Sequence, residues 1–165
     1  MKIKTYRLDL HLLTEPQLRQ LVNKIHIMEA DMDFVYQGEP LIGGFADYIL
    51  SAANALQNGA NCVYSSFWLI ICRDTRTAVG MASFKGNPDE NSNAEIGYGL
   101  GEAHRGNGFM TEAVTAICTW TLQRNDVSAI IAETEPDNDA SEKVLERCGF
   151  VVYDKVDGCK WWKLR

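Results

Sequence analysis

The segment Ala94–Met110, AEIGYGLGEAHRGNGFM, constrains this chain more than any other stretch, because it reads as a strand that ends in a glycine-rich turn and opens a helix. Strict alternation puts Ile96, Tyr98 and Leu100 on one strand face and Glu95, Gly97 and Gly99 on the other, so one face packs while the other stays open. After the strand, Arg105-Gly106-Asn107-Gly108 precedes apolar residues at helical spacing: Met110, Ala113, Val114, Ile117 and Trp120. Glycines let backbone N–H groups converge on an anion, and the start of a helix adds partial positive charge. The segment is a candidate phosphate cradle, and a tight connection without a ligand is the plainer use of the same residues.

Two familiar phosphate loops fail the spacing test. A Walker A loop ends in Gly-Lys-Ser/Thr, whereas Gly108 is followed by Phe109 and Met110. A Rossmann fingerprint needs G-x-G-x-x-G, and Gly97-Tyr98-Gly99-Leu100-Gly101-Glu102 breaks that spacing at its third glycine. Arg105-Gly106-Asn107-Gly108-Phe109-Met110 instead resembles the acetyl-CoA signature of the GCN5-related N-acetyltransferases, Q/R-x-x-G-x-G/A, in all but its last position, where Met110 stands. A second block, Glu133 to Ser141 followed by Val144-Leu145 and Cys148-Gly149-Phe150, is similar to the family's strand-to-helix pattern N-x-x-S-x-x-V-L-x-x-x-G-F. Gly108-Phe109-Met110-Thr111-Glu112-Ala113 further resembles the RimJ/RimL-like branch, which includes ribosomal-protein N-terminal acetyltransferases. The resemblance runs from roughly Phe67 to Phe150 and fades before it, where substrate loops vary.

Composition bounds the rest. At 165 residues, 46% hydrophobic and 23% charged, the chain suits one compact domain, 1–165. No apolar run reaches membrane-spanning length, so no membrane partner is expected. The five cysteines (Cys62, Cys72, Cys118, Cys148, Cys159) are odd in number and lack a C-x-x-C pair, which points to buried thiols in a reducing cytoplasm and to no metal site. A net charge of −6 argues against a nucleic-acid partner and is compatible with a cationic amine. The protein is expected to be a monomer or a homodimer.

Periodicity predicts the element order. Arg7–Leu13 alternates as a strand, and Thr14-Glu15-Pro16-Gln17 has the form of a capping box that starts a helix with Leu18, Leu21, Val22 and Ile25 inward. Gly43-Gly44 separates it from a second helix near Phe45–Leu56. Five acidic residues and no Lys or Arg lie between Glu29 and Gly59, a solvated helical face in preference to an amine-recruiting rim. Strands follow at Phe67–Cys72 and Ala78–Phe84, then the glycine segment and its helix, a strand at Ala129–Thr134, a helix at Ala140–Cys148 capped by Asn138 or Asp139, and a hairpin about Asp157-Gly158. The resemblance implies the same order: an α/β (α+β) fold with a central, mostly antiparallel mixed sheet of about seven strands flanked by about four helices.

What the resemblance implies for chemistry is an acetyl transfer from acetyl-CoA to a primary amine, a protein N-terminus or a small amine, by direct attack. Backbone groups of Tyr98, Gly99 and Leu100 would pair with the pantetheine arm, N–H groups of the Arg105–Thr111 loop (Arg105, Gly106, Asn107, Gly108, Phe109, Met110, Thr111) would hold the pyrophosphate, and Asn138 would contact the arm or cap its helix. Glu133 matches the position of a general base, with apolar Ile130, Ile131 and Ala132 beside it to raise its pKa. Glu95 competes for that role, since it shares the open strand face with Gly97 and Gly99. A tyrosine that serves as general acid in many members is replaced by Leu145, which leaves Ser141 to hydrogen-bond the leaving thiolate or to act as a second cap. The missing tyrosine and Met110 also fit a non-catalytic acyl-CoA-binding module of the same fold. His11, His26 and His104 form no nucleophile–base pattern, and Trp161 and Trp162 should split between core and surface.

Overall fold

The computed structural model describes residues 1–165. Its strands are β1 (Lys2–Lys4), β2 (Leu8–Leu12), β3 (Val35–Tyr36), β4 (Phe67–Cys72), β5 (Thr77–Phe84), β6 (Asn93–Leu100), β7 (Ala129–Thr134), β8 (Val151–Val156) and β9 (Cys159–Leu164). Its helices are α1 (Glu15–Asn23), α2 (Ile25–Met32), α3 (Gly43–Gln57), α4 (Cys62–Ser65), α5 (Phe109–Leu122) and α6 (Asp139–Arg147), with a 3-10 turn at Glu102–His104. The strands form one sheet in the order β1-β2-β4-β5-β6-β7-β9-β8, with β3 lying parallel beside β5.

The apolar run of β4 explains the layering. All six of its residues are buried, because both sheet faces are covered. Trp68, Ile70 and Cys72 join a cluster with Met110, Ile117 and Cys118 of α5 and Leu145 of α6, while Phe67, Leu69 and Ile71 join a second cluster with Leu18 and Leu21 of α1 and Ile49 of α3. The larger cluster lies under α5 and α6, the smaller under α1–α3.

Nine strands and six helices exceed the expected seven and four. The additions are β1, β3, α2 and α4, all short and without a periodic signature of their own. The first helix breaks at Lys24 (φ −148°, ψ 49°), so Ile25 starts α2. Gly43 and Gly44 form the first turn of α3 instead of a spacer. Local signals held elsewhere: Thr14 N–H donates to Gln17 Oε1 at 2.9 Å, and Asp157 (φ 50°) and Gly158 (φ 85°) make the two-residue turn that matches strand twist between β8 and β9. Cys72 and Cys118 are buried, but Cys148 and Cys159 are half-buried and Cys62 is exposed, which corrects the expectation that all five thiols are buried. No helix is long and apolar enough to cross a membrane.

One junction positions the site. The parallel ladder between β6 and β7 holds only at Asn93/Ala129, Ala94/Ile130 and Glu95/Ile131. Beyond it the strands part, leaving one edge of β6 free from Ile96 to Leu100 while its other edge stays paired to β5.

Candidate active site

The turn after β6 has the geometry of a candidate anion cradle. Gly106 (φ 79°) and Gly108 (φ 75°) take left-handed conformations that a side chain resists. Gly108 caps α5 with no side-chain cap, and the Glu112 N–H is the first to reach back, to Gly108 O at 3.1 Å. The N–H groups of Phe109, Met110 and Thr111 thus lack intrahelical acceptors, a disposition that fits a phosphate. Met110 is buried in the larger cluster, so its departure from the Gly/Ala pattern is absorbed by core packing and leaves its N–H free. Arg105 and Asn107 are exposed, and Asn107 Nδ2 donates to His104 O and Arg105 O at 3.2 and 3.3 Å, which tightens the turn.

Residues far away in the chain complete the cradle. Arg7 Nη1 donates to Asn107 O at 2.9 Å, its Nε to Glu112 Oε2 at 2.7 Å, and its guanidinium lies 4.7 Å from the Phe109 ring centre. Thr5 Oγ1 and the Arg7 N–H both donate to Glu112 Oε1. Burial raises the Glu112 carboxyl, but the hydrogen bonds from Thr5 and Arg7 outweigh it and hold the group below the usual carboxylate range. A cavity of about 470 Å³ opens here between Thr5, Gly108, Thr111, Glu112, Thr115 and Arg147. Sequence reasoning missed Arg7 and Thr5. The available signal was Glu112 itself, a carboxylate in the first turn of a helix whose start is a candidate phosphate site, where two negative groups would repel unless a cation offset one of them.

The parted strands face α6. The Tyr98 hydroxyl donates to Ser141 O at 3.2 Å and ties β6 to the first turn of α6, while burial pushes the Tyr98 phenol up. Asn138 Oδ1 accepts the Ser141 N–H at 3.2 Å, so Asn138 takes the capping role. Leu145 is buried, and no hydroxyl from the helix interior replaces it. Tyr98 was singled out for its backbone; its hydroxyl, beside Ser141, was not foreseen.

On the opposite face of β6, Lys85 Nζ pairs with Glu95 Oε1 at 2.5 Å, with its chain running over Gly97. Gly99 and Gly101 are closely approached by the chain itself: a Cβ on Gly99 would meet the Glu39 carboxylate, and one on Gly101 would meet the Gln37 carbonyl. Glu133 shares the face of Ile131 and Glu95 but is exposed, and Ile130 and Ala132 are buried on the other side of β7. The enclosure expected to desolvate Glu133 is therefore absent. Trp162 is buried, with Nε1 donating to Thr134 Oγ1 at 2.9 Å, and Trp161 is half-buried, the expected division.

Residues 7–151 match the acetyltransferase (GNAT) domain family. This chain belongs to the GNAT acetyltransferases. It is 31% identical to the uncharacterized N-acetyltransferase YjdG of Bacillus subtilis over 97% of this chain and 95% of that one. A ribosomal-protein-serine acetyltransferase of Escherichia coli shares 30% identity over 58% of this chain and 50% of its own length. Among solved structures, the RimL ribosomal L7/L12 alpha-N-protein acetyltransferase in complex with coenzyme A superposes with a TM-score of 0.69 at 20% identity, covering 99% of this chain and 97% of that one. GNAT membership agrees with the parted β6 and β7 and with the uncapped start of α5.

Proposed function

We propose that this GNAT enzyme, a single domain across residues 1–165 acting in the cytoplasm, acetylates a primary amine from acetyl-CoA, with a protein N-terminus as first acceptor class and a small amine as second. The observation that carries this reading is the free edge of β6 leading into an uncapped helix start: one recognises an amide-bearing arm, the other a pyrophosphate. Tyr98, Gly99 and Leu100 would hold the arm, and the Arg105–Thr111 loop, braced by Arg7, would hold the phosphates. When bound, acetyl-CoA supplies an activated acyl carbon: the amine nitrogen bonds to it, the C–S bond breaks, and the sulfur leaves as a thiolate that takes up a proton. Glu133 would take the amine's proton, directly or through water, and the Ser141 hydroxyl would hydrogen-bond the thiolate. Similarity to ribosomal-protein acetyltransferases supports the N-terminal acceptor.

Acetyl-CoA should bind, and an amine panel of N-terminal peptides, amino-acid amides and polyamines should release free thiol in at least one case. Binding without thiol release from any amine would favour the acyl-CoA-binding module instead. Ser141→Ala should slow the chemical step with little change in melting temperature, because Asn138 already supplies the cap. Ser141→Asp, which keeps a capping group but sets a negative charge beside the thiolate, should be slower still. Wild-type turnover in both variants would leave the thiolate to water.

A further inference from the structure

Strand β3 takes the edge of β5 that β6 leaves free beyond Leu100, so the chain leaving β3 crosses the open face of β6 as a strap. Three contacts hold it down. Gln37 N–H donates to Ala78 O at 2.9 Å, the Tyr36 hydroxyl donates to Glu39 O at 2.8 Å, and His104 Nε2 meets Gln37 Oε1 at 2.9 Å. The strap ends by placing the Glu39 carboxyl carbon 2.5 Å from where a Cβ on Gly99 would stand. Glu39 is half-buried there and forms no ion pair, whereas Glu95, four residues along the same face, is held by Lys85. Of the five acidic residues in this region, Asp31, Asp33 and Asp47 are exposed and Glu29 accepts the Tyr36 N–H at 2.7 Å, so Glu39 alone brings an uncommitted carboxylate onto β6.

We propose that Glu39 receives the acceptor amine and selects for it. The claim rests on the acetyltransferase reading above. The other face of β6 is packed under α5 and α6 through Ile96 and Tyr98, so an acceptor meets the strand from the side of Glu39. Lys85 lies over Gly97 and the Glu39 carboxylate over Gly99, so an acceptor approaching this face meets Glu39 before it meets the strand backbone. A carboxylate there attracts an ammonium from solution and accepts an N–H from the same nitrogen once it is neutral, which aims the lone pair at the acyl carbon. The proton itself passes to Glu133 or to water, not to Glu39. Glu39 therefore acts on the acceptor and is dispensable for acetyl-CoA.

Steady-state acetylation of serine amide and spermidine by wild type, Glu39→Asp, Glu39→Gln and Glu39→Ala, with acetyl-CoA binding measured by calorimetry, tests this. The amine KM should rise about tenfold or more in the Gln and Ala variants, with partial retention in Asp, while acetyl-CoA affinity stays within about twofold. Added salt should raise the wild-type amine KM and leave that of Glu39→Gln nearly flat. Amine KM values within about twofold of wild type in both Gln and Ala would overturn the role of Glu39 and leave the acetyltransferase reading standing. Should wild type bind acetyl-CoA and release thiol with no amine of the wider panel, the acetyltransferase reading fails, and calorimetric binding of spermidine still decides on Glu39: weaker binding in Glu39→Gln upholds its amine contact, equal binding removes it.

Discussion

Replacing Glu133 with glutamine is expected to slow acetylation by about a hundredfold or more and to leave acetyl-CoA affinity nearly constant. The amide keeps the shape of the side chain and loses its capacity to take a proton, so the loss falls on the chemical step. Two carboxylates borne by β6 and β7 themselves, Glu95 and Glu133, reach the open side of the opening, and their partners separate them. Glu95 is already engaged by the Lys85 ammonium, whereas Glu133 is exposed and forms no ion pair. Because Glu133 is exposed, the substitution should change stability by no more than about 0.5 kcal/mol, and a rate measured at equal melting temperature reads chemistry alone. Wild-type turnover in Glu133→Gln together with loss in Glu95→Gln would transfer the role to Glu95.

Gly108→Val should weaken acetyl-CoA binding at least tenfold, about 1.4 kcal/mol. Two effects act together. A β-branched residue at φ 75° is forced into a conformation it resists, which twists the start of α5 and turns its free N–H groups away. The new side chain would also begin 3.4 Å from Arg7 Nη2, in the arm that braces the loop through Asn107 O. Calorimetric titration of a folded variant checks it, and unchanged affinity would remove the Arg105–Thr111 loop from the phosphate site.

Elements whose causes are local were legible from the chain alone. The uninterrupted Phe67–Cys72 run states that both of its faces are covered, Asn138 three residues before Ser141 states a cap, and Gly149 followed by Phe150 states a helix end, where the Phe150 N–H returns to Leu145 O at 3.0 Å. The site was legible as far as the backbone carries it: strand, glycines, helix start. Its side-chain half was not. Arg7 meets Glu112, 105 positions away, and Glu39 meets Gly99 through a strap whose two-residue strand has no period to read. The apolar neighbours of Glu133 in sequence lie on the other side of the pleat in space, so adjacency along the chain misjudged its surroundings. The helix break at Lys24 was hidden too, since Ile25 continues the inward stripe of α1 across it.

The three-residue ladder between β6 and β7 makes the sheet two plates joined by a short seam. Past the seam no backbone hydrogen bond sets how far the plates stand apart; their spacing is a packing quantity, set by the one core to which Ile96 of β6, Ala132 of β7 and Leu145 of α6 all belong. The width of the slot is thus gauged by interior volume. Core substitutions that never touch a ligand, such as trimming Leu145 or enlarging Ala132, act there as spacers, and in this architecture the hydrophobic interior is part of the instrument that measures what enters.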